Sequence, residues 1–125
     1  MPSIESKIYS VLSASSLVNT LTTRIYPENR PAADALPAVV YSRLSGLRVN
    51  SLSGYSGLEN ARIQFDIYSS SVDKRRELSD NVITAITGAT AFTCLLVDSP
   101  FDSYDDEPTT PEYIRTLDFS IWNRG

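Results

Sequence analysis

Histidine is missing from this 125-residue chain altogether. That removes the usual general base at neutral pH and the commonest ligand of catalytic metals, which disfavours acyl-transfer triads and zinc-hydrolase sites. Cysteine is present once, as Cys94, so no internal disulfide can form and stability must come from packing. A lone thiol is compatible with a reducing cytosol, and its place in an apolar run makes Cys94 a small core residue. No apolar run approaches the roughly 18 residues a membrane helix needs, so no membrane span and no membrane partner are expected. Met1 to Lys7 lacks a basic segment followed by an apolar stretch, so no secretory signal is expected. Lysine and arginine are absent between Asp98 and Glu112, where six acids stand instead, leaving nine acids against eleven bases elsewhere. The net charge of -4 is therefore a local acidity on a slightly basic body.

What is present is ordinary for a soluble globular protein, at 42% hydrophobic and 21% charged, and the length predicts a single domain over 1–125. Local signals agree best from Asn60 to Gly88. Ala61, Ile63, Phe65 and Ile67 alternate with Arg62, Gln64, Asp66 and Tyr68, the period of a half-buried strand. The period then becomes helical, with Leu78, Val82, Ile83 and Ile86 on one stripe and Lys74, Arg75, Glu77, Ser79 and Asn81 elsewhere. Ser70 or Ser71 can cap this helix, Asp73 suits its positive end, and Gly88 can take a left-handed turn at its close.

Before this unit, Ser3 to Ala14 reads as a helix with Ser3 as N-cap, and Leu17, Val18 and Leu21 as a broken further turn. Thr22 to Pro27 reads as an extended entry, because Tyr26 precedes a proline, and a loop follows through Pro31 and Ala35. Ala38 to Leu44 favours a strand buried on both faces for part of its length. Residues 46–60, with three glycines and three serines, read as a long hairpin arm between the first two strands. After the helix, Thr93 to Val97 is a third strand. The proline-containing stretch 98–112 reads as an exposed acidic loop, since Pro100, Pro108 and Pro111 bar an internal strand. Tyr113 to Trp122 alternates again as the last strand. The predicted architecture is α+β, a mostly antiparallel four-stranded sheet with helices packed on one face.

Each cluster of chemical side chains has a plain alternative. Asp102, Asp105, Asp106 and Glu107 are oxygen ligands close in sequence, but the EF-hand order with its central glycine is missing and a solvated loop explains them better. The same acids suit electrostatic complementarity with a neighbouring copy or partner. Asp66 and Asp118 could form a catalytic carboxylate pair, yet solvent-facing strand positions account for both. Lys74, Arg75 and Arg76 with Arg62 and Arg48 could meet phosphates. A pI near 4.7 is not the footprint of a nucleic-acid binder, and salt bridges to a neighbouring subunit or solvation fit better. On the arm, Arg48, Asn50, Leu52, Tyr55 and Leu58 mix a cation, an aromatic and spaced aliphatics, the types that anchor interfaces.

Taken in order, Arg24-Ile25-Tyr26-Pro27, Leu36-Pro37-Ala38-Val39-Val40-Tyr41, Ser53-Gly54-Tyr55-Ser56-Gly57-Leu58, the strand Ala61 to Tyr68 and Leu117-Asp118-Phe119-Ser120-Ile121-Trp122 resemble the bacteriophage tail-completion or tail-terminator proteins of long-tailed phages. The resemblance implies a structural virion protein made in the host bacterial cytoplasm, without enzymatic activity, cofactor or metal. It implies a ring, usually a hexamer, at the head-proximal end of the tail, contacting itself, the tail tube protein and the head-closure protein, with DNA only passing through. Interface candidates are then Arg48, Asn50, Leu52, Tyr55, Leu58, Arg62, Arg75, Arg76, Asp102, Tyr104, Asp105 and Asp106. The alternative from another class is a small α+β ligand-binding or enzymatic domain with its site where the arm meets the sheet.

Overall fold

The structure, a computed structural model, describes residues 4–22, 24–27, 36–51, 54–89, 92–97, 101–105 and 112–124. The side chains of 45–59, 105, 123 and 124 lie outside that description. The expected cap Ser3, the loop 28–35, Leu52 and the stretches 98–100 and 106–111 lie outside it as well.

The alternating run seen in the sequence sits inside a longer strand, β3 (Gly54–Ser69). Its side chains at 61, 63, 65 and 67 are fully buried, and those at 62, 64, 66 and 68 are half-buried, as the period of two requires. Along one side of β3 runs β2 (Ala38–Ser51), antiparallel; along the other runs β6 (Glu112–Arg124), also antiparallel, from Leu58↔Arg124 to Ser69↔Tyr113. The three residues of β1 (Ile25–Pro27) pair parallel with β2 at one edge. At the other edge β4 (Thr93–Leu96) and β5 (Phe101–Asp105) both pair with β6, one beyond the other. The strand order is β1-β2-β3-β6-β4, with β5 beside β6.

Among the described residues, six strands replace the expected four. β1 is too short to show periodicity, and its place is fixed by the backbone of β2, whose Val39 N–H donates to the Arg24 carbonyl at 2.9 Å. The acidic stretch is not a loop throughout, because its prolines bracket β5 rather than interrupt it. The N–H and C=O groups of β6 at 112–116 need partners on that side, and β5 supplies them. Residues 46–51 and 54–60 are likewise strand rather than connection. After a register shift between Arg43 and Ser45 the β2–β3 ladder continues to Ser51↔Gly54, leaving two residues between the strands. Backbone pairing needs no side-chain alternation, so glycine and serine hid it.

Helices α1 (Ile4–Ala14), α2 (Ser16–Asn19) and α3 (Val72–Thr87) cover one face of the sheet. Ile4, Ile8 and Leu12 of α1, Val18 of α2 and Leu78, Val82 and Ile86 of α3 are fully buried. They meet Val39, Tyr41, Ile63, Phe65, Ile67, Leu117, Phe119 and Ile121 of the sheet in one core. Ala38 to Tyr41 are all buried, as expected for a strand covered on both sides there. At the start of α3 the cap is Ser71, whose Oγ accepts the Lys74 N–H at 3.2 Å. The other end departs from expectation. Gly88 is right-handed, with φ -86° and ψ -3°, and its N–H donates to the Thr84 carbonyl at 3.0 Å. A Cβ at Gly88 would lie 3.1 Å from that carbonyl oxygen, so close approach, not positive φ, favours glycine. Arg75 and Ser79 also depart from expectation, being buried. They precede Leu78 and Val82 by three, and the 3.6-residue repeat carries them onto the same stripe.

Candidate functional site

Where α3 begins, it faces β5, and the charged side chains there engage one another. Asp102 accepts from Arg115 Nε at 2.7 Å and Arg115 Nη2 at 3.1 Å, and stands 3.3 Å from Arg75 Nη2. The hydrogen bonds from Arg115 hold the Asp102 carboxyl below the usual aspartate range, against an opposing push from burial, and the same pair raises Arg115. Arg75 Nη1 donates to the Ser103 carbonyl at 3.3 Å, and its guanidinium lies 5.7 Å from the centre of the Tyr113 ring. Tyr104 and Tyr113 stack with ring centres 4.9 Å apart. Val72, Arg75, Asp102, Ser103, Tyr104 and Tyr113 line one shallow concavity.

The opposite face of the sheet carries no helix among the described residues. Residues paired across neighbouring strands share a face, so the register places Arg62, Gln64, Asp66, Thr116, Asp118 and Ser120 together there. Arg62 pairs with Asp118 through both guanidinium nitrogens, Nε at 3.1 Å and Nη2 closer still. Asp66 accepts from Thr116 Oγ1 at 2.9 Å and from Gln64, and Asn60 Nδ2 donates to Ser120 Oγ at 2.8 Å. The centre of this face is therefore polar and internally paired. Its margin differs. Leu95 opposite Ser120, Phe101 opposite Thr116 and Trp122 at the end of β6 fall on the same face, and alternation carries Val97 there too. All four are exposed, at 67%, 68%, 40% and 38% for Leu95, Phe101, Trp122 and Val97.

These placements bear on the clusters read from the sequence. Arg62 and Arg75 are on opposite faces and each pairs with an aspartate inside the chain, so these two do not converge on one phosphate. Arg76 is exposed on α3. Asp66 and Asp118 are bound by Thr116, Gln64 and Arg62 rather than standing as a free carboxylate pair. Asp102 is held by arginines, not offered as a calcium ligand, and no group of three or more acidic or cysteine side chains suited to a metal occurs among the described residues. Asp105 closes β5 with its side chain outside the description, and Asp106 lies outside it entirely. Arg48, Asn50, Tyr55 and Leu58 are ladder positions of β2 and β3, paired Arg48↔Glu59, Asn50↔Tyr55 and Val49↔Leu58. Cys94 is half-buried against the core with Sγ 3.4 Å from the Ile86 carbonyl, and burial pushes its thiol up, away from reactivity. The exposed edge formed by Leu95, Phe101 and Trp122 was not singled out from the sequence; Trp122 and Leu95 lie next to core positions, and only the register separates them.

Large apolar side chains left exposed at a sheet edge are the kind of surface through which proteins meet one another. The chain belongs to the Tail completion protein gp17 family, whose model matches residues 6–124. That makes it a phage tail-completion protein, a structural protein of the virion, and the resemblance seen in the sequence stands. Its fold is similar to a chain in a structure described as "Virion of native gene transfer agent (GTA) particle", at 12% identity and TM-score 0.67, covering 92% of this chain and 90% of that one. No curated protein matches the sequence.

Proposed function

We propose that this protein caps the tail tube at its head-proximal end as a ring, most simply a hexamer, and joins the tube to the head-closure protein while leaving an axial path for DNA. The family match over residues 6–124 carries the reading. The fold supports it. A head-to-tail ring needs two different surfaces on each subunit, and an open sheet with dissimilar edges provides them. The end of the β2–β3 hairpin, with Arg48, Asn50, Leu52, Tyr55 and Leu58, is the proposed contact to the tube or the head-closure protein. Asp102, Tyr104, Asp105 and Asp106 are the proposed contacts at the acidic stretch, and Arg76, exposed on α3 beside the equally exposed Lys74, is a proposed cationic contact. DNA passes without specific binding, since the acidic stretch repels phosphates.

Electron microscopy of particles assembled without this protein tests the reading. Heads and tails should accumulate separately, with tubes of uncontrolled length, and added protein should restore joining. Tails of normal length already joined to heads in its absence would overturn it.

A further inference from the structure

The two strands that flank β6 on its outer side are held in different ways. β4 sends Cys94 and Leu96 toward the core, and just past it the Val97 N–H donates to the Asp118 carbonyl at 2.8 Å. Among the described residues β5 pairs with β6 alone, and none of its side chains reaches the core. Its only large apolar groups, Phe101 and Tyr104, are exposed, so lifting β5 off β6 gives up little buried apolar surface. What seats it besides the ladder is polar and aromatic: Asp102 with Arg115 and Arg75, the Ser103 carbonyl with Arg75, and Tyr104 on Tyr113. A segment with so few buried contacts is the kind that opens on its own.

We infer that β5 is a displaceable strand, latched by Asp102, and that the β6 edge it covers is a docking site for an extended acidic segment of another protein. When β5 lifts, the backbone groups of residues 112–116 that faced it lose their partners. So do two guanidinium groups. Arg75 is buried, its Nε already lacks a hydrogen-bond partner, and without Asp102 and the Ser103 carbonyl it keeps only the Tyr113 ring among the described residues. Arg115 feels Asp80 of α3 electrostatically, but the hydrogen bonds of its side chain both go to Asp102. A buried cation left without an acceptor is costly, and that selects the replacement. An incoming strand satisfies the site when it places a carboxylate opposite Arg115 and an aromatic ring opposite Tyr113 while its main chain continues the ladder. An apolar or basic strand leaves both arginines without an acceptor side chain. Opening also frees Asp102 and Tyr104, engaged while β5 is seated, for the contacts proposed above. The inference does not depend on the ring reading.

Two measurements on the full-length protein test it. In native-state hydrogen exchange read by NMR, the amides bonded between β5 and β6 should exchange about tenfold or more faster than those between β3 and β6, and with weaker dependence on urea, because a local opening exposes little surface. Equal rates in the two ladders would overturn the inference. The second measurement titrates the capped peptide spanning residues 101–105, and its Asp102→Asn analogue, into the wild type and into the D102N protein. The unaltered peptide should shift the amides of residues 112–116 and bind D102N severalfold more tightly than wild type, because loss of the latch raises the open population. The analogue should bind either protein severalfold more weakly. Equal binding of the two peptides, equal affinity for the two proteins, or no binding to D102N overturns the inference. Self-association of the wild type that the peptide abolishes makes a second copy the occupant and overturns the assignment to another protein. Each of these failures leaves the tail-completion role standing.

Discussion

Phe65 shows what one side chain contributes. It is fully buried, meets Phe119 edge-on with ring centres 5.6 Å apart, and stands 6.4 Å from Tyr41. Phe65→Ala should lower unfolding stability by about 3–5 kcal/mol, through lost burial and the cavity left behind, measured by urea denaturation. Ser79 is the opposite case. It is fully buried and its Oγ has no hydrogen-bond partner. Ser79→Ala should raise stability by about 1 kcal/mol, since it removes an unpaired buried hydroxyl and adds helix propensity; a loss of stability in the same melt would contradict the placement. At this scale the apolar core was legible in the sequence, because burial of Ile63, Phe65, Leu117 and Phe119 follows from their chemistry and period. Burial of Arg75 and Ser79 was not, since their polarity argued against the face that helical spacing gives them.

Elements were legible where side-chain period and end signals coincide, as in α3. Ser71→Ala deletes the hydroxyl that accepts from Lys74 N–H and should destabilise the protein by about 1 kcal/mol in thermal or chemical unfolding. β5 had no such period, and its link to α3 is ionic. The Asp102 carboxyl titrates below the ordinary aspartate value of about 3.9, so its contribution is full above that value and is lost as pH falls through the lower folded value. Asp102→Asn should therefore cost about 1 kcal/mol at neutral pH, reduced by salt because Asp102 is partly exposed, and should weaken the loss of stability below pH about 4. A variant whose acid unfolding curve overlays the wild type would show that the ion pairs of Asp102, with Arg115 of β6 first and Arg75 of α3 second, contribute nothing. The prolines around β5 were read as excluding a strand, yet proline excludes one only where its own missing N–H falls in the ladder.

Across the whole molecule, β6 holds the sheet together. It lies between β3 on one side and β4 and β5 on the other, and sends Leu117, Phe119 and Ile121 into the core. Ending the chain after Glu112 should abolish cooperative unfolding, leaving no sigmoidal thermal transition by circular dichroism, because β3, β4 and β5 all lose their partner. A truncated chain that still melts cooperatively would place the core elsewhere. The same position explains why the molecule has two dissimilar edges. One is the short parallel β1 backed by α1; the other is the pair β4 and β5, which lie in the 77–114 run that has no lysine or arginine.

The sequence by itself determined the helical layer, the alternating central strands, the apolar inward residues of each and the family to which the chain belongs. These depend on the order of apolar and polar side chains along one segment, which folding does not alter. Tertiary structure alone decided the length of the β2–β3 ladder, the strand at Phe101–Asp105, the pairing of Arg62 with Asp118 and of Arg75 with Asp102, and the exposure of Leu95, Phe101 and Trp122. Each of these depends on which strand lies beside which and in what register, and residues 56 apart, such as Arg62 and Asp118, meet only after the sheet has formed.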